Sequence, residues 1–177
     1  MQAWVETALS TAAAFVFATV ALAKTRDRSR FVQSIEQYRV VPSVLARPLA
    51  TVIIGVELGL ALGLLVPTYR SFAAAFGIAL LTLFVTAMGI VLLRGDKDVD
   101  CGCSLRRDLS PVGPTSLARS FGLILMLALI AILSVHGSAL GNIASVDAAA
   151  CGVTAALIYL EIETISSFPV IRRHRRA

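Results

Sequence analysis

Four apolar stretches of about 20 residues, followed by a weaker fifth, restrict this chain to one class of fold. They occupy residues 4–23, 48–66, 72–93, 117–135 and 146–168. Each of the first four is long enough to cross the roughly 30 Å hydrocarbon core of a bilayer as a helix. A backbone placed there has no water to bond, so it must satisfy its own N–H and C=O groups. The composition agrees, at 57% hydrophobic and 15% charged residues with a mean hydropathy of +0.82. The expected fold is an all-α integral membrane protein, a four-helix transmembrane bundle with a fifth C-terminal helix, forming a single polytopic domain over residues 1–177. In the fifth stretch the uninterrupted apolar part, residues 148–160, is short for a crossing, but the stretch is still read as a span.

The segments between the spans are as informative. Trp4 begins the first span where an interfacial aromatic would sit, and Glu6 is its only charge. Ala21-Leu22-Ala23 resembles a signal cleavage site. The basic residues follow the apolar run instead of preceding it, so the helix is expected to be retained. Residues 24–47 are basic, and within them Phe31, Ile35 and Tyr38 fall at i, i+4 and i+7. That spacing predicts a short amphipathic helix lying along the headgroups with its arginines outward, ended by Pro42. Pro48 suits the first turn of the second span and Pro67 its end. Gly55, Gly59 and Gly63 recur every fourth residue and predict a face for close helix contact.

The lysines and arginines give an orientation. Fifteen of the sixteen lie in the first loop, in or just after the third loop, or in the C-terminal tail, and Arg70 is the exception. By the positive-inside rule the N-terminus is expected outside and the C-terminus in the cytoplasm of a bacterial plasma membrane. The formal charge of +5 therefore serves membrane orientation. No basic, aromatic-bearing folded segment is available for nucleic acid. No phosphate-binding glycine loop, Ser-His-Asp set or zinc-protease motif is present on a solvent-facing element.

Two features carry chemistry. Glu57 falls at the midpoint of the second span. There a carboxyl group must be protonated, paired or turned to the bundle interior, either to act on protons or to tie helices together. The second feature is Asp100-Cys101-Gly102-Cys103, in the polar loop between the third and fourth spans. Two thiols one residue apart can close a disulfide only through a tight turn, which Gly102 permits. So small a ring is strained and exchanges readily, which marks Cys101 and Cys103 as a redox pair; a reduced, inert pair is the other reading. The orientation places them on the cytoplasmic side, where thiols are normally held reduced, and this suits a carrier that collects reducing equivalents inside, or a loop that folds back into the membrane. Cys151, in the fifth stretch, is expected to be a small buried apolar residue. The pair lacks the further ligands of a metal site, and none is expected.

Ala23-Lys24, Arg26-Asp27, Phe31, Ile35, Tyr38-Arg39, Pro42, the membrane-embedded Glu57 and the Asp100-Cys101-Gly102-Cys103 loop together resemble the MauE branch of the DoxX-like membrane proteins. The likeness covers roughly residues 4–135. Where the family motif continues Phe-Gly, this chain has Ser104-Leu105. The resemblance implies a four-helix bundle similar to quinone-linked disulfide enzymes. It also implies a membrane thiol-disulfide component that passes electrons between Cys101/Cys103 and a thioredoxin-like partner or a quinone, with Glu57 handling a proton or holding the quinone. Such proteins are associated with maturing extracytoplasmic redox proteins such as methylamine dehydrogenase. A different class of function is a non-catalytic membrane anchor or assembly subunit of a larger redox complex.

Overall fold

A computed structural model describes residues 1–39, 41–95, 114–136 and 142–166, with side chains described over 117–134 and 145–161 in the last two helices. Every regular element among them is helical: α1 Gln2–Arg26, α2 Arg28–Gln37, α3 Ser43–Leu65, a single 3-10 turn at Pro67–Tyr69, α4 Arg70–Leu93, α5 Pro114–His136 and α6 Asn142–Ser166. Four helical segments, Gln2–Arg26, Ser43–Leu65, Pro67–Leu93 and Leu117–Ser134, are long and apolar enough to cross a membrane. The chain is an all-α membrane protein.

α1 is the shared wall of the bundle and touches α2, α3, α5 and α6. Its inward positions are mostly small, so neighbours approach closely. Ala13, Ala14 and Phe17 pack with Leu60, Ala61 and Leu64 of α3, Ala73, Ala74 and Leu81 of α4, and Leu127 and Ile130 of α5. The closest approach is made by α6. A Cβ built on Gly152 would stand 2.3 Å from the carbonyl oxygen of Ala8, so only glycine allows these two backbones to meet.

Asp27, with φ −125° and ψ 57°, breaks the helix between α1 and α2. The amphipathic helix then lies against α3, with Phe31 and Val32 buried among Ala46, Ala50, Ile53 and Ile54. It stops at Gln37, before Pro42, and Arg39 turns the chain with a positive φ of 49°.

Three expectations change. α3 starts at Ser43 and runs through Pro48, which is internal to the helix and not at its first position. Pro48 lacks only the bond to the carbonyl of Val44, one turn from the helix start, and both residues are exposed. Of the glycine stripe, only Gly63 meets a neighbour, with Ala73 Cβ 3.0 Å from its built Cβ, whereas Gly55 and Gly59 have nothing within 4 Å. Their face of α3 points out of the bundle. Cys151 is exposed, not buried.

Candidate functional site

The site is built where α1 and α3 run side by side in opposite directions. Ser10 of α1 meets the carbonyl of Leu64, and Lys24, near the other end of α1, meets Glu57. Ascending numbers on one helix against descending numbers on the other make the pair antiparallel. Helical side chains lean toward the N-terminus of their own helix. Lys24 therefore leans into the membrane, Glu57 leans back toward the α2 end, and the two converge. Lys24 Nζ donates to Glu57 Oε1 at 2.5 Å, with both side chains about 4% exposed or less.

Two further elements close around the ammonium. Lys24 Nζ lies 4.6 Å from the centroid of the Phe31 ring of α2 and 5.0 Å from that of Phe84 of α4. Ring faces attract a cation, most strongly when water is excluded. Lys24 is thus held by one carboxylate oxygen and two aromatic rings contributed by three different helices. Glu57 is satisfied on one side only: among the described residues, its buried Oε2 has no hydrogen-bond partner.

At the opposite end of α1 a second buried ion pair is built differently. Arg70 Nη1 donates to Glu6 Oε1 at 3.0 Å and Arg70 Nε to the Leu64 carbonyl at 3.2 Å. The Ser134 hydroxyl also reaches Glu6 Oε1, and Ser10 donates to Leu64. Side chains from α1, α4 and α5 and a carbonyl from the last turn of α3 interlock there, and this second knot reads as a structural tie.

Of the residues singled out by sequence, Glu57 is placed inside the bundle and paired. Cys101 and Cys103 lie outside the described residues. The structure adds Lys24, Phe31 and Phe84 to Glu57, and pairs Glu6 with Arg70. In the sequence Lys24 groups with the basic loop residues, although it directly follows the apolar run 4–23, within reach of an interior carboxylate. Arg70 is there the lone cation on its side, and Glu6 the lone charge of the first span.

The family profile of methylamine utilisation protein MauE matches residues 2–134, the part of the chain that contains α1 to α4 and nearly all of α5. The chain is 31% identical over 160 residues to methylamine utilization protein MauE of Methylophilus methylotrophus, covering 90% of this chain and 84% of that one. It is 34% identical over 151 residues to the protein of that name from Paracoccus denitrificans, covering 83% and 79%. For the one from Methylorubrum extorquens the identity is 32% over 145 residues, covering 81% and 78%. No solved structure matches the chain. A helical membrane bundle carrying a buried Lys24–Glu57 pair, matched by this profile over most of its length, belongs to the MauE family.

Proposed function

We propose that this protein is a membrane thiol-disulfide component in which Cys101 and Cys103 alternate between dithiol and disulfide by exchange with a thioredoxin-like partner. It would thereby support maturation of a redox protein needed for methylamine utilisation, the process named in its relatives. A thiolate of the partner attacks one sulfur of the Cys101–Cys103 disulfide and forms a mixed disulfide, which the partner's second thiol resolves. Two electrons and two protons pass to this chain, and the reverse reaction returns them. A quinone in the bundle would supply a two-electron, two-proton acceptor; Glu57, paired with the lysine that lies over the rings of Phe31 and Phe84, is the residue whose chemistry fits one.

The observation that carries the reading is that Lys24 enters the bundle interior from the end at which α4 stops and α5 starts, and meets the mid-span Glu57 there. The cysteine-bearing connection runs from α4 to α5. At its start Arg94 Nη1 donates to the Tyr38 carbonyl just past α2 at 3.3 Å. At its other end Leu117 packs with Met88 and Val91, beside Tyr38. Lys24 reaches Glu57 from this same end.

The proposed orientation keeps the N-terminus outside and the C-terminus in the bacterial cytoplasm. Lys24 and Arg70 are buried in ion pairs. With these two set aside, every remaining Lys and Arg falls in the first loop, the third loop or the tail, or within two turns of them on the adjoining helix ends, which sharpens the bias. α6, whose 25 residues reach about 37 Å, serves as the fifth crossing.

The test is alkylation gel-shift on Cys101→Ser and Cys103→Ser proteins, each in a Cys151→Ala background. The expected outcome is an oxidant-dependent shift of the intact pair, and a trapped mixed disulfide in at least one single variant. Full retained function in the double variant, with no mixed disulfide, would overturn the reading and leave a non-catalytic anchor of a larger complex.

A further inference from the structure

The ridge of α3 that the bundle leaves uncovered begins with a charge. Arg47, Thr51, Gly55 and Gly59 follow one another at four-residue intervals, so they form one row along the helix, and all four are exposed. At the head of the row Arg28 of α2 donates from Nη2 to the Thr51 hydroxyl, which in turn donates to the Arg47 carbonyl at 3.1 Å. Arg47 stands one turn from Thr51, and its side chain leans toward the N-terminus of α3, the end against which α2 packs. Two guanidinium groups are thereby gathered at one place. Among the described residues neither is paired with a carboxylate: the buried ion pairs use Lys24 and Arg70, and Asp27, next to Arg28, accepts from the Ser29 hydroxyl. Below the arginines the row carries no side chains, and a Cβ built on Gly55 or Gly59 meets nothing within 4 Å. Exposed Val52 and Val56 flank the glycines on one side and exposed Leu58 and Leu62 on the other, so a shallow apolar channel descends from the cationic pair.

The geometry points to this ridge as the seat of one anionic phospholipid, its phosphate between Arg28 and Arg47 and an acyl chain laid along Gly55 and Gly59. Like charges at the edge of a low-dielectric medium repel, and an anion between them removes the repulsion. A phosphate oxygen accepts from more than one donor, and a guanidinium presents its N–H groups as a fork suited to it. Arg28 spends one N–H on Thr51 and keeps the others for the headgroup. A soluble anion would satisfy the arginines and leave the channel empty. A zwitterionic lipid would fill the channel but bring its own cation to the arginine pair. A second copy of the chain crossing at these glycines, in the same membrane orientation, would bring its own Arg28 and Arg47 to the same end and double the unpaired charge. The glycine repeat that no helix of the bundle uses thus has a partner in the lipid.

The proposal stands apart from the thiol chemistry and is tested without it. The full chain in detergent is titrated with phosphatidylglycerol or with phosphatidylethanolamine of identical acyl chains, and bound lipid is counted by native mass spectrometry. Expected is one saturable site that prefers phosphatidylglycerol about tenfold, the scale of two arginines acting on a charged headgroup. Arg28→Gln combined with Arg47→Gln should abolish the preference. Arg26→Gln combined with Arg39→Gln removes the same charge from the same end of the bundle and should keep it. Gly59→Leu retains both arginines, meets no atom of the bundle and should weaken binding several-fold by filling the channel. Circular dichroism melts establish that each variant is folded, and Gly59→Leu decides the matter if the arginine pair cannot be replaced without unfolding. Equal binding of the two lipids, equal loss in the two double arginine variants, or unchanged binding to Gly59→Leu would each overturn the proposal. So would displacement by free glycerophosphoglycerol as effective as by the intact lipid, which would make this a soluble-anion site, or a lipid-free dimer lost in Gly59→Leu, which would give the ridge to a second copy.

Discussion

At the scale of single residues, the described part of the bundle includes two buried ion pairs of the same kind in different surroundings. Removing one partner of a buried pair strands the other charge and costs about 3–5 kcal/mol, whereas replacing both by apolar residues of similar size is often neutral. Lys24→Met and Glu57→Leu are each expected to destabilise the bundle by about 3 kcal/mol, and the double variant by much less. Steric-trap or denaturant unfolding in detergent measures the difference, and additive losses would show that the pair is not coupled. The restored double variant should remain inactive, which separates support of the fold from chemistry. The sequence pointed to Glu57, because a carboxyl group in mid-span needs a partner. Lys24 was harder to see, since its pairing depends on the antiparallel register of α1 and α3 and on the lean of both side chains, neither of which a linear pattern encodes.

At the scale of elements, the spans and the amphipathic α2 follow from apolar length and from the spacing of Phe31 and Ile35. Which face of a span meets protein does not. In a bilayer both faces are apolar, so the four-residue repeat of Gly55, Gly59 and Gly63 looks like a contact surface although only Gly63 is used as one. The tight contact comes instead from Gly152, a glycine with no such repeat. Cys151 beside it faces outward because a small apolar residue is accepted by lipid as readily as by a core. Gly152→Leu should therefore push α6 off α1 and lower thermal stability, while Gly59→Leu leaves it within about 0.5 kcal/mol. A disulfide engineered between α1 and α6, forming in native protein but not in Gly152→Leu, reports the displacement. An equal effect of the two substitutions would contradict the packing.

At the scale of the whole molecule, a helical frame holds an interior ion pair whose lysine enters from the end at which α4 stops and α5 starts. The charge distribution sets the expected sidedness. A membrane-impermeant maleimide should leave Cys101 and Cys103 unlabelled in intact cells and label them in inverted vesicles. The reverse pattern would turn the molecule over and put the pair on the side where exported proteins mature. On either side, the account depends on those two sulfurs forming a couple. Equilibrating purified Cys151→Ala protein across a series of dithiothreitol buffers, with maleimide trapping at each potential, measures this directly. Expected is one transition in which both thiols disappear together with two-electron Nernst behaviour; thiols that stay free at every potential, or that are lost one at a time into bonds between separate chains, would contradict it.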